Sequence, residues 1–536
     1  MMHEKKTTVL FILFLLCLHF FCLLIIPNQQ ASENLAMVSM LEPDEGVVIP
    51  VMQRMISGGA TLKEALGHFI VYEYYYYGMP FFGLGALIML VLRGLGLEGN
   101  FPLMMTVLRQ LLSVLPTLAA LLLITYIQDQ FKSWRSAAIF LLLAILPATM
   151  RNAFWLHPDG LVLFFCALVL YLLWKDEHRL GKEFRWAAVV CGLLTATKLV
   201  GFYFFLAVLL CLIWYVVKKQ GTSRHALASG LCFMGLMTLT FVLSNAFLFS
   251  SYGREQYYYT LRGQAEWLNK GYGIIYPKGL AASLPIIKDN YGSFAFILLA
   301  LVISLYGLSQ KTSRFLAALV LAWVLPLSIS VFFFTHFKYQ YWLPVALPLF
   351  SNFAFMLPVS WRETKTKWGI PWVVQLGLII ILLFQAFIFI EKDIAIIRNR
   401  LQAMDNNPKI RFYHESIAQL QGLKNQPQKV YYDYRLYLPP TGQWQSATSY
   451  DLLNYPFIQE NQFTILMLSA QRIADYLNPN AVGIDPAQFA ESQRFYRDAQ
   501  QTQIEGFHLL YQDSTGLLFI RNDVCKAYFP QENCLP

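Results

Sequence analysis

Long uninterrupted apolar runs dominate the sequence and limit the folds open to it. Many approach or exceed the roughly 18 residues that a membrane helix needs. Of 536 residues, 57% are hydrophobic and only 14% are charged, whereas a soluble domain carries about 25% charged residues. A coiled coil, a disordered chain and a soluble enzyme are excluded. We predict a polytopic α-helical membrane protein with spans near 8–27, 110–127, 136–150, 157–174, 186–197, 199–217, 225–249, 291–309, 315–334, 341–358 and 371–391.

The basic residues between these runs predict the topology. The net charge is +9, and cytoplasmic loops of membrane proteins carry an excess of Lys and Arg. If the apolar stretch 79–97 does not cross the membrane, the short outer loops hold only Arg151, Lys198 and Lys338. This assignment gives eleven spans, a cytoplasmic N-terminus and an outer C-terminus. The residues left inside are Lys5, Lys6, Lys132, Arg135, Lys175, Arg179, Lys182, Arg185, Lys218, Lys219, Arg224, Lys311, Arg314, Arg362, Lys365 and Lys367.

Residues 186–217 indicate where a helix breaks. Basic clusters flank this stretch at both ends, so it crosses an even number of times. As a helix it rises about 48 Å, which is short of two full crossings of about 30 Å. We expect short or broken helices with the break near Lys198, unless a flanking cluster is misassigned.

The first predicted outer loop, 28–109, contains a candidate base. Pro43, Asp44 and Glu45 begin an amphipathic stretch, and a helix N-terminus favours carboxylates. Glu42 fits an ordinary acidic helix start. Asp44 opens an apolar helix at the membrane surface, where a partly desolvated carboxylate is suited to general-base chemistry. The tyrosine run that ends at Tyr77 fits an interfacial aromatic belt or a sugar-stacking surface.

Charged residues at the predicted outer face are the other site candidates. Lys198 either snorkels to the surface or contacts a phosphate at a broken helix. Asp159 follows His157 and Pro158, so it either starts a helix or joins a site. His336 and Lys338 precede a further span, and a lone histidine is more often a satisfied polar residue than a ligand. One or two carboxylates with lysines suit an anionic lipid-linked substrate.

The order of these short motifs resembles the GT-C superfamily of membrane glycosyltransferases over roughly the first 390 residues. The similarity is to the bacterial family 39-like group, which includes protein O-mannosyltransferases and lipid A aminoarabinose transferases. Where aminoarabinose transferases carry Glu-Lys-Pro, this chain has Gly78-Met79-Pro80, so lipid A is not indicated as acceptor. The matching motifs are Asp44-Glu45, Tyr77 to Pro80, Arg109-Gln-Leu-Leu-Ser, Asp159, Gly192 to Lys198, and Lys338 with Tyr341 to Pro344 and Pro348.

This resemblance implies a reaction. The donor would be a polyprenyl-phosphate monosaccharide, and Asp44 would deprotonate an acceptor hydroxyl that attacks the anomeric carbon with inversion. Glu45 and Asp159 would orient the acceptor or Asp44. Lys198 and Lys338, with His336 beside them, would stabilise the leaving phosphate, so no cofactor is predicted. Arg254, Arg262 and Tyr77 are candidates for donor or acceptor contacts. The acceptor is left open as lipid, glycan or protein.

A polar tail follows residue 391 and predicts a small extracytoplasmic α/β domain over 392–536, beside a membrane module over 1–391. Strands are expected at 430–434 and 463–468, helices at 412–422 and 485–500, and a hairpin at 509–521 with its turn at Asp513 to Gly516. Acceptor recognition or a stabilising lid would be its role. Cys525 and Cys534 could pair in an oxidising compartment. The predicted location is a bacterial inner membrane.

Other functions stay open on the sequence alone. A transporter or flippase of polyprenyl-linked sugars would use Lys198 and Asp159 as an intramembrane charge pair, although the two halves show no internal repeat. An O-antigen polymerase or ligase would rely on outer arginines, for which Arg254 and Arg262 are the candidates. A catalytically inactive scaffold is disfavoured because Asp44 and Lys198 are present. No CxxC, HExxH, Walker or GxGxxG motif occurs, and the basic clusters are too short to bind nucleic acid.

Overall fold

The computed structural model describes residues 2–358, 372–449 and 453–529. The predicted inner cluster Arg362, Lys365 and Lys367, and also Cys534, lie outside these ranges. The helices described, α1 to α25 in chain order, are Met2–Leu23, Ile25–Gln30, Leu35–Leu41, Pro43–Met55, Leu62–Ile70, Met79–Gly94, Phe101–Arg109, Leu115–Asp129, Trp134–Ala144, Pro147–Ala153, Asp159–Lys175, Lys182–Thr197, Phe205–Val217, Ser223–Ser244, Ser251–Lys270, Leu280–Tyr291, Phe294–Ser309, Arg314–Ile329, Tyr339–Ser351, Trp372–Leu401, Pro408–Gln419, Tyr455–Asn461, Ala470–Leu477, Pro486–Gln500 and Asn522–Tyr528.

Seven described strands form two sheets. They are, as β1 to β7, Gly271–Tyr272, Ile274–Ile275, Gln428–Tyr432, Trp444–Ala447, Ile465–Ser469, Phe507–Gln512 and Gly516–Arg521. β1 and β2 pair antiparallel, and the other five lie in the order β4-β3-β5-β7-β6. β3 runs parallel to β4 and β5, while β7 is antiparallel to β5 and β6. The fold class is therefore as predicted: a helical membrane protein with a small C-terminal α/β domain.

The described residues divide into two compact units. The first contains 1–29, 48–262 and 278–399, and the second contains 30–47, 263–277 and 400–536. Residues 30–47 come from the predicted first outer loop, 28–109, and residues 263–277 come from the predicted second large outer loop, 250–290. In the second unit, residues of 30–47 pack on the C-terminal part through an apolar cluster that includes Met37, Met40, Ile410 and Tyr437.

The helices of the first unit enclose one large apolar core. Within it α12 packs against α11 and α14, and α11 packs against α8. By length and apolar composition, six helical stretches of the described residues qualify as membrane spans, and eight do if each of two bent helix pairs is one span. The pairs are α9 with α10, bent by 68°, and α16 with α17, bent by 84°. The predicted number of eleven spans stays a prediction.

The expected break in 186–217 is confirmed. α12 ends at Thr197, Lys198 has an extended backbone, and a 3-10 segment over Leu199–Phe204 precedes α13. A second interruption comes before α19. There a π-helical turn, Ser330–Phe334, ends α18, and the chain is extended at Thr335 and Lys338.

The C-terminal elements lie close to their predicted positions. The hairpin β6–β7 turns at Asp513, whose Oδ1 accepts hydrogen bonds from the N–H groups of Thr515 (2.7 Å) and Gly516 (3.1 Å). The sheet is buried on both faces, because alternate residues of each strand belong to different clusters. Leu466, Leu468 and Phe519 face one cluster, whereas Ile465, Met467, Leu518 and Ile520 face the other.

Candidate functional site

The broken helix presents Lys198 to a buried acid. Lys198 has φ −158° and ψ 140°, and its N–H still donates to the carbonyl of Leu194 at 2.9 Å. The extended backbone turns its side chain away from the axis of α12. Nζ of Lys198 lies 2.7 Å from Oδ1 of Asp159, whose side chain is only 4% exposed. A charge in an apolar interior is tolerated when it is paired, and this pair meets that condition.

Asp159 is the first residue of α11 and connects Lys198 to a histidine. Its other oxygen, Oδ2, lies 2.7 Å from Nδ1 of His157. Nε2 of His157 lies 2.6 Å from the hydroxyl of Tyr77. Both His157 and Asp159 are buried. One continuous chain of polar contacts therefore joins Lys198, Asp159, His157 and Tyr77. This chain of four residues is called the Lys198 relay below.

Packing fixes the histidine in this relay. The ring of Trp155 stacks on His157 with centroids 3.9 Å apart, and the carbonyl of Trp155 accepts a hydrogen bond from Oγ of Ser113 at 2.5 Å. Ser113 lies in a π-helical turn, Gln110–Val114, between α7 and α8. Single-turn π-bulges occur frequently at functional sites. Here the bulge places Ser113 beside the segment that leads into α11.

Gly78 brings Tyr77 to the relay. The N–H of Gly78 donates to the carbonyl of Thr197 at 3.1 Å, so this residue touches the last turn of α12. A Cβ at this position would lie 1.5 Å from the carbonyl oxygen of Ala196, and only glycine allows such an approach. The N–H of Met79 donates to Oδ1 of Asn245 at 3.1 Å. The Gly78-Met79-Pro80 motif is therefore a close contact between α6 and the broken helix.

A second lysine lies near the first across a tyrosine ring. Nζ of Lys198 is 5.0 Å from the ring centroid of Tyr341, and Nζ of Lys338 is 6.0 Å from it. Lys338 is the residue before α19 and has an extended backbone. Both lysines are half-buried. Two cations that lie near one aromatic ring form a positive patch that can bind an anion such as a phosphate.

The other predicted site residues lie outside the relay. Asp44 and Glu45 occupy the first turn of α4, as the sequence indicated, with Asp44 half-buried and Glu45 buried. His336 is buried in the segment before α19. Arg254 and Arg262 are exposed on α15, and the guanidinium of Arg254 donates to the carbonyl of Leu248 at 3.0 Å. The catalytic and binding roles of these residues stay predictions.

Sequence reasoning missed two members of the site. On the sequence alone, His157 and Pro158 fit only a turn into the next helix, and Tyr341 belongs only to a matching motif. The signal for His157 was its spacing from Asp159. Two residues on either side of a proline at a helix start can bring their side chains together, as His157 and Asp159 do here. Tyr341 carried no comparable signal.

Together with Lys338, the relay has the composition of an anion site. Lys198 and Lys338 supply two positive charges, and Asp159 supplies one negative charge. A group of three or more His, Cys, Asp or Glu side chains suited to a metal ion is absent from the described ranges. Asp159 and His157 hold Lys198 in one orientation, which is how a site is preorganised for charge that develops during a reaction.

The fold is similar to that of a GT-C membrane glycosyltransferase, which agrees with the sequence resemblance. It is similar to the crystal structure of ArnT from Cupriavidus metallidurans bound to undecaprenyl phosphate, with a TM-score of 0.50 and 13% sequence identity, over 83% of this chain and 88% of that chain. ArnT is an aminoarabinose transferase. No family model and no curated protein matches the sequence. The chain is an integral membrane protein.

Proposed function

We propose that the protein is an integral-membrane glycosyltransferase. It transfers a monosaccharide from a polyprenyl-phosphate donor to an acceptor on the outer face of a bacterial inner membrane, with inversion. The observation that carries the proposal is the positive patch of Lys198 and Lys338 on Tyr341, which is suited to a lipid phosphate. The similar ArnT structure holds undecaprenyl phosphate, which supports a donor of this class.

The leaving phosphate is the focus of the mechanism. As the bond between the anomeric carbon and the phosphate oxygen breaks, negative charge grows on the phosphate. Lys198 and Lys338 stabilise that charge, and Asp159 with His157 keeps Lys198 in position. Removing one preorganised donor from the oxyanion hole of a protease costs about 10²–10³-fold in turnover. We expect an effect of that order for Lys198→Gln.

Asp44 is the proposed base. It removes the proton from the acceptor hydroxyl as the oxygen attacks the anomeric carbon on the face opposite the phosphate. The proton goes to the Asp44 carboxylate, the new glycosidic bond forms, and the polyprenyl phosphate leaves with the bonding electrons. Its half-buried position in the first turn of α4 supports this role, because the helix fixes the carboxylate while part of the residue stays exposed to an acceptor.

The test uses purified protein in lipid, radiolabelled polyprenyl-phosphate monosaccharides and a membrane extract as acceptor. Wild type is compared with Asp44→Asn, Lys198→Gln and the control Glu33→Gln, which alters an exposed carboxylate of the same loop. We expect transfer by wild type and control, none by Asp44→Asn, and a loss of about 10²–10³-fold for Lys198→Gln. Transfer that survives Asp44→Asn would refute the assignment of the base.

A flippase of polyprenyl-linked sugars is the second candidate. The observation that favours it is the ion pair of Lys198 with Asp159, since intramembrane charge pairs are typical of transport pathways. The same purified protein, reconstituted in sealed lipid vesicles, distinguishes the two functions. Movement of labelled lipid between leaflets without any transfer product would support the flippase and contradict the transferase.

A further inference from the structure

The second unit contains a cleft of its own, and none of the residues that line it belongs to the Lys198 relay. It is lined by Trp267 of α15, Tyr272 of β1, Tyr476 of α23, and Gln488 and Phe489 of α24. Its volume is about 140 Å³, similar to the roughly 150 Å³ cavity in which a six-membered ring such as benzene fits. The cleft therefore has room for one ring-sized ligand.

Backbone hydrogen bonds hold the cleft open. The N–H of Ile275 donates to the carbonyl of Val482 at 2.7 Å, and the N–H of Ile484 donates to the carbonyl of Gly273 at 3.0 Å. These bonds fix the β1–β2 hairpin against the segment that leads into α24. A pocket formed before its ligand arrives binds without the entropic cost of ordering its walls.

Buried side chains support the base of the cleft. Tyr476 is 2% exposed, and its ring contacts that of Phe489 with centroids 5.5 Å apart. The hydroxyl of Tyr476 also lies 3.5 Å from Nη2 of Arg472, whose side chain pairs with the fully buried Asp433. The aromatic base thus rests on a buried polar network and has little freedom to move.

The chemistry of the cleft matches a sugar. The rings of Trp267 and Tyr272 lie 5.7 Å apart and remain 39% and 36% exposed. Around them, Glu266, Asp485 and Gln488 supply oxygen and amide groups. Aromatic faces pack on the C–H faces of a pyranose, and carboxylates and amides hydrogen-bond its hydroxyls.

The charge balance disfavours other ligands. Glu266 and Asp485 place two carboxylates at the cleft against one ammonium, that of Lys270, so a phosphate or another anion would be repelled. A lipid tail would remove water from these polar side chains without offering them a hydrogen bond, which is unfavourable. A neutral polyhydroxylated ring satisfies both the aromatic and the polar lining.

We propose that this cleft is a carbohydrate-binding subsite for one monosaccharide unit of the acceptor. The statement that the cleft binds a sugar stands on its own lining. The statement that this sugar belongs to the acceptor rests on the proposed function, and it makes the acceptor a glycan or glycoconjugate. The subsite would hold the acceptor chain while its free hydroxyl reacts elsewhere.

Binding is measured first, on the full-length protein in lipid nanodiscs without any donor. Saturation-transfer NMR is recorded with the methyl glycosides of glucose, galactose, mannose, N-acetylglucosamine and arabinose. We expect saturation transfer to at least one of them, with an affinity that falls about tenfold in Trp267→Ala and recovers in Trp267→Phe. The control Tyr528→Ala alters an aromatic of the same unit that is 46% exposed and outside the cleft. Absence of binding for every sugar, or equal weakening by the control, would overturn the subsite.

Transfer kinetics then test the acceptor role. With the purified acceptor, Trp267→Ala should raise its KM about tenfold and leave the KM of the polyprenyl-phosphate donor unchanged. A raised donor KM would overturn the acceptor role. Sugar binding that depends on Trp267 in a protein with no transferase activity would uphold the subsite while the proposed function fails. Transferase activity without sugar binding in the cleft would do the reverse.

Discussion

Removing the charge of Lys198 should destabilise the first unit. Two unit charges about 4 Å apart attract by about 4 kcal/mol at the effective dielectric constant typical near a protein surface, and breaking a buried pair costs about 3–5 kcal/mol. Asp159 is 4% exposed and Lys198 is 16% exposed. Because Lys198 retains some solvent contact, we expect Lys198→Met to lower the free energy of unfolding by about 3 kcal/mol.

A double-mutant cycle isolates the pair from other effects of each substitution. Asp159→Asn also removes the partner of His157, so its own cost is not that of the ion pair alone. In the double variant the unpaired charge is gone, and we expect a loss smaller than the sum of the single losses by about 2 kcal/mol. Unfolding is followed by tryptophan fluorescence during a denaturant titration in mixed micelles. Trp155, stacked on His157, is a local reporter.

The matched control is an exposed pair in the same unit. Nζ of Lys392 lies 3.2 Å from Oδ1 of Asp289, and their side chains are 32% and 66% exposed. Exposed pairs contribute at most about 1 kcal/mol, so Lys392→Met should have a small effect. If the losses from Lys198→Met and Asp159→Asn are additive, the argument that Asp159 holds Lys198 is refuted.

Three further predictions follow from local geometry. Gly78→Ala should lower the free energy of unfolding by about 1–3 kcal/mol and abolish transfer, because its Cβ would overlap the carbonyl of Ala196. The control Gly83→Ala, within α6, would place its Cβ in ordinary contact at 3.8 Å. This control should be tolerated in the same unfolding and transfer assays. Asp433→Asn should leave Arg472 without its carboxylate partner and speed amide hydrogen exchange in β3 and β5, whereas Asp475→Asn, at an exposed site, should not. Burial and the charge of Arg435 lower the pKa of Lys409 to about 8. Between about pH 8 and 10 the unfolded state therefore binds more protons than the folded state, and this group makes stability rise with pH by at most about 1.4 kcal/mol per pH unit. The pH slope of wild-type stability, measured by denaturant titration, should exceed that of Lys409→Met.

The sequence predicted the break at Lys198 because that inference needed only the length of one apolar stretch and the charges at its two ends. A stretch too short for two crossings, with basic residues at both ends, must contain an interruption. The β6–β7 hairpin was equally local, since Asp513 and Gly516 define its turn. β4 was not expected, because its four residues, Trp444–Ala447, do not alternate between apolar and polar side chains and none of them is buried.

The contacts that make the site are distant in the chain and were harder to predict. Asp159 and Lys198 are 39 residues apart, and Tyr77 and His157 are 80 apart. The transporter interpretation had paired Lys198 with Asp159, whereas the enzyme interpretation had assigned them separate roles. Neither included Tyr77 beside His157, because its position depends on a glycine that lets α6 approach the end of α12.

The two interrupted helices explain how one membrane protein can hold two lysines beside each other. A regular helix commits every backbone group to its own hydrogen bonds and directs each side chain by a fixed period. At Lys198 and Lys338 the backbone is extended, so each side chain can leave its helix and reach Tyr341. A charged lysine without a partner inside the membrane module would be unfavourable. The ion pair with Asp159 offsets this cost for Lys198. Under the proposed function, a lipid phosphate would bring its negative charge next to Lys198, which its contact with Asp159 already orients. The carboxylate of Asp159 would also repel that phosphate, so under the proposed function it would favour release of the polyprenyl phosphate after transfer.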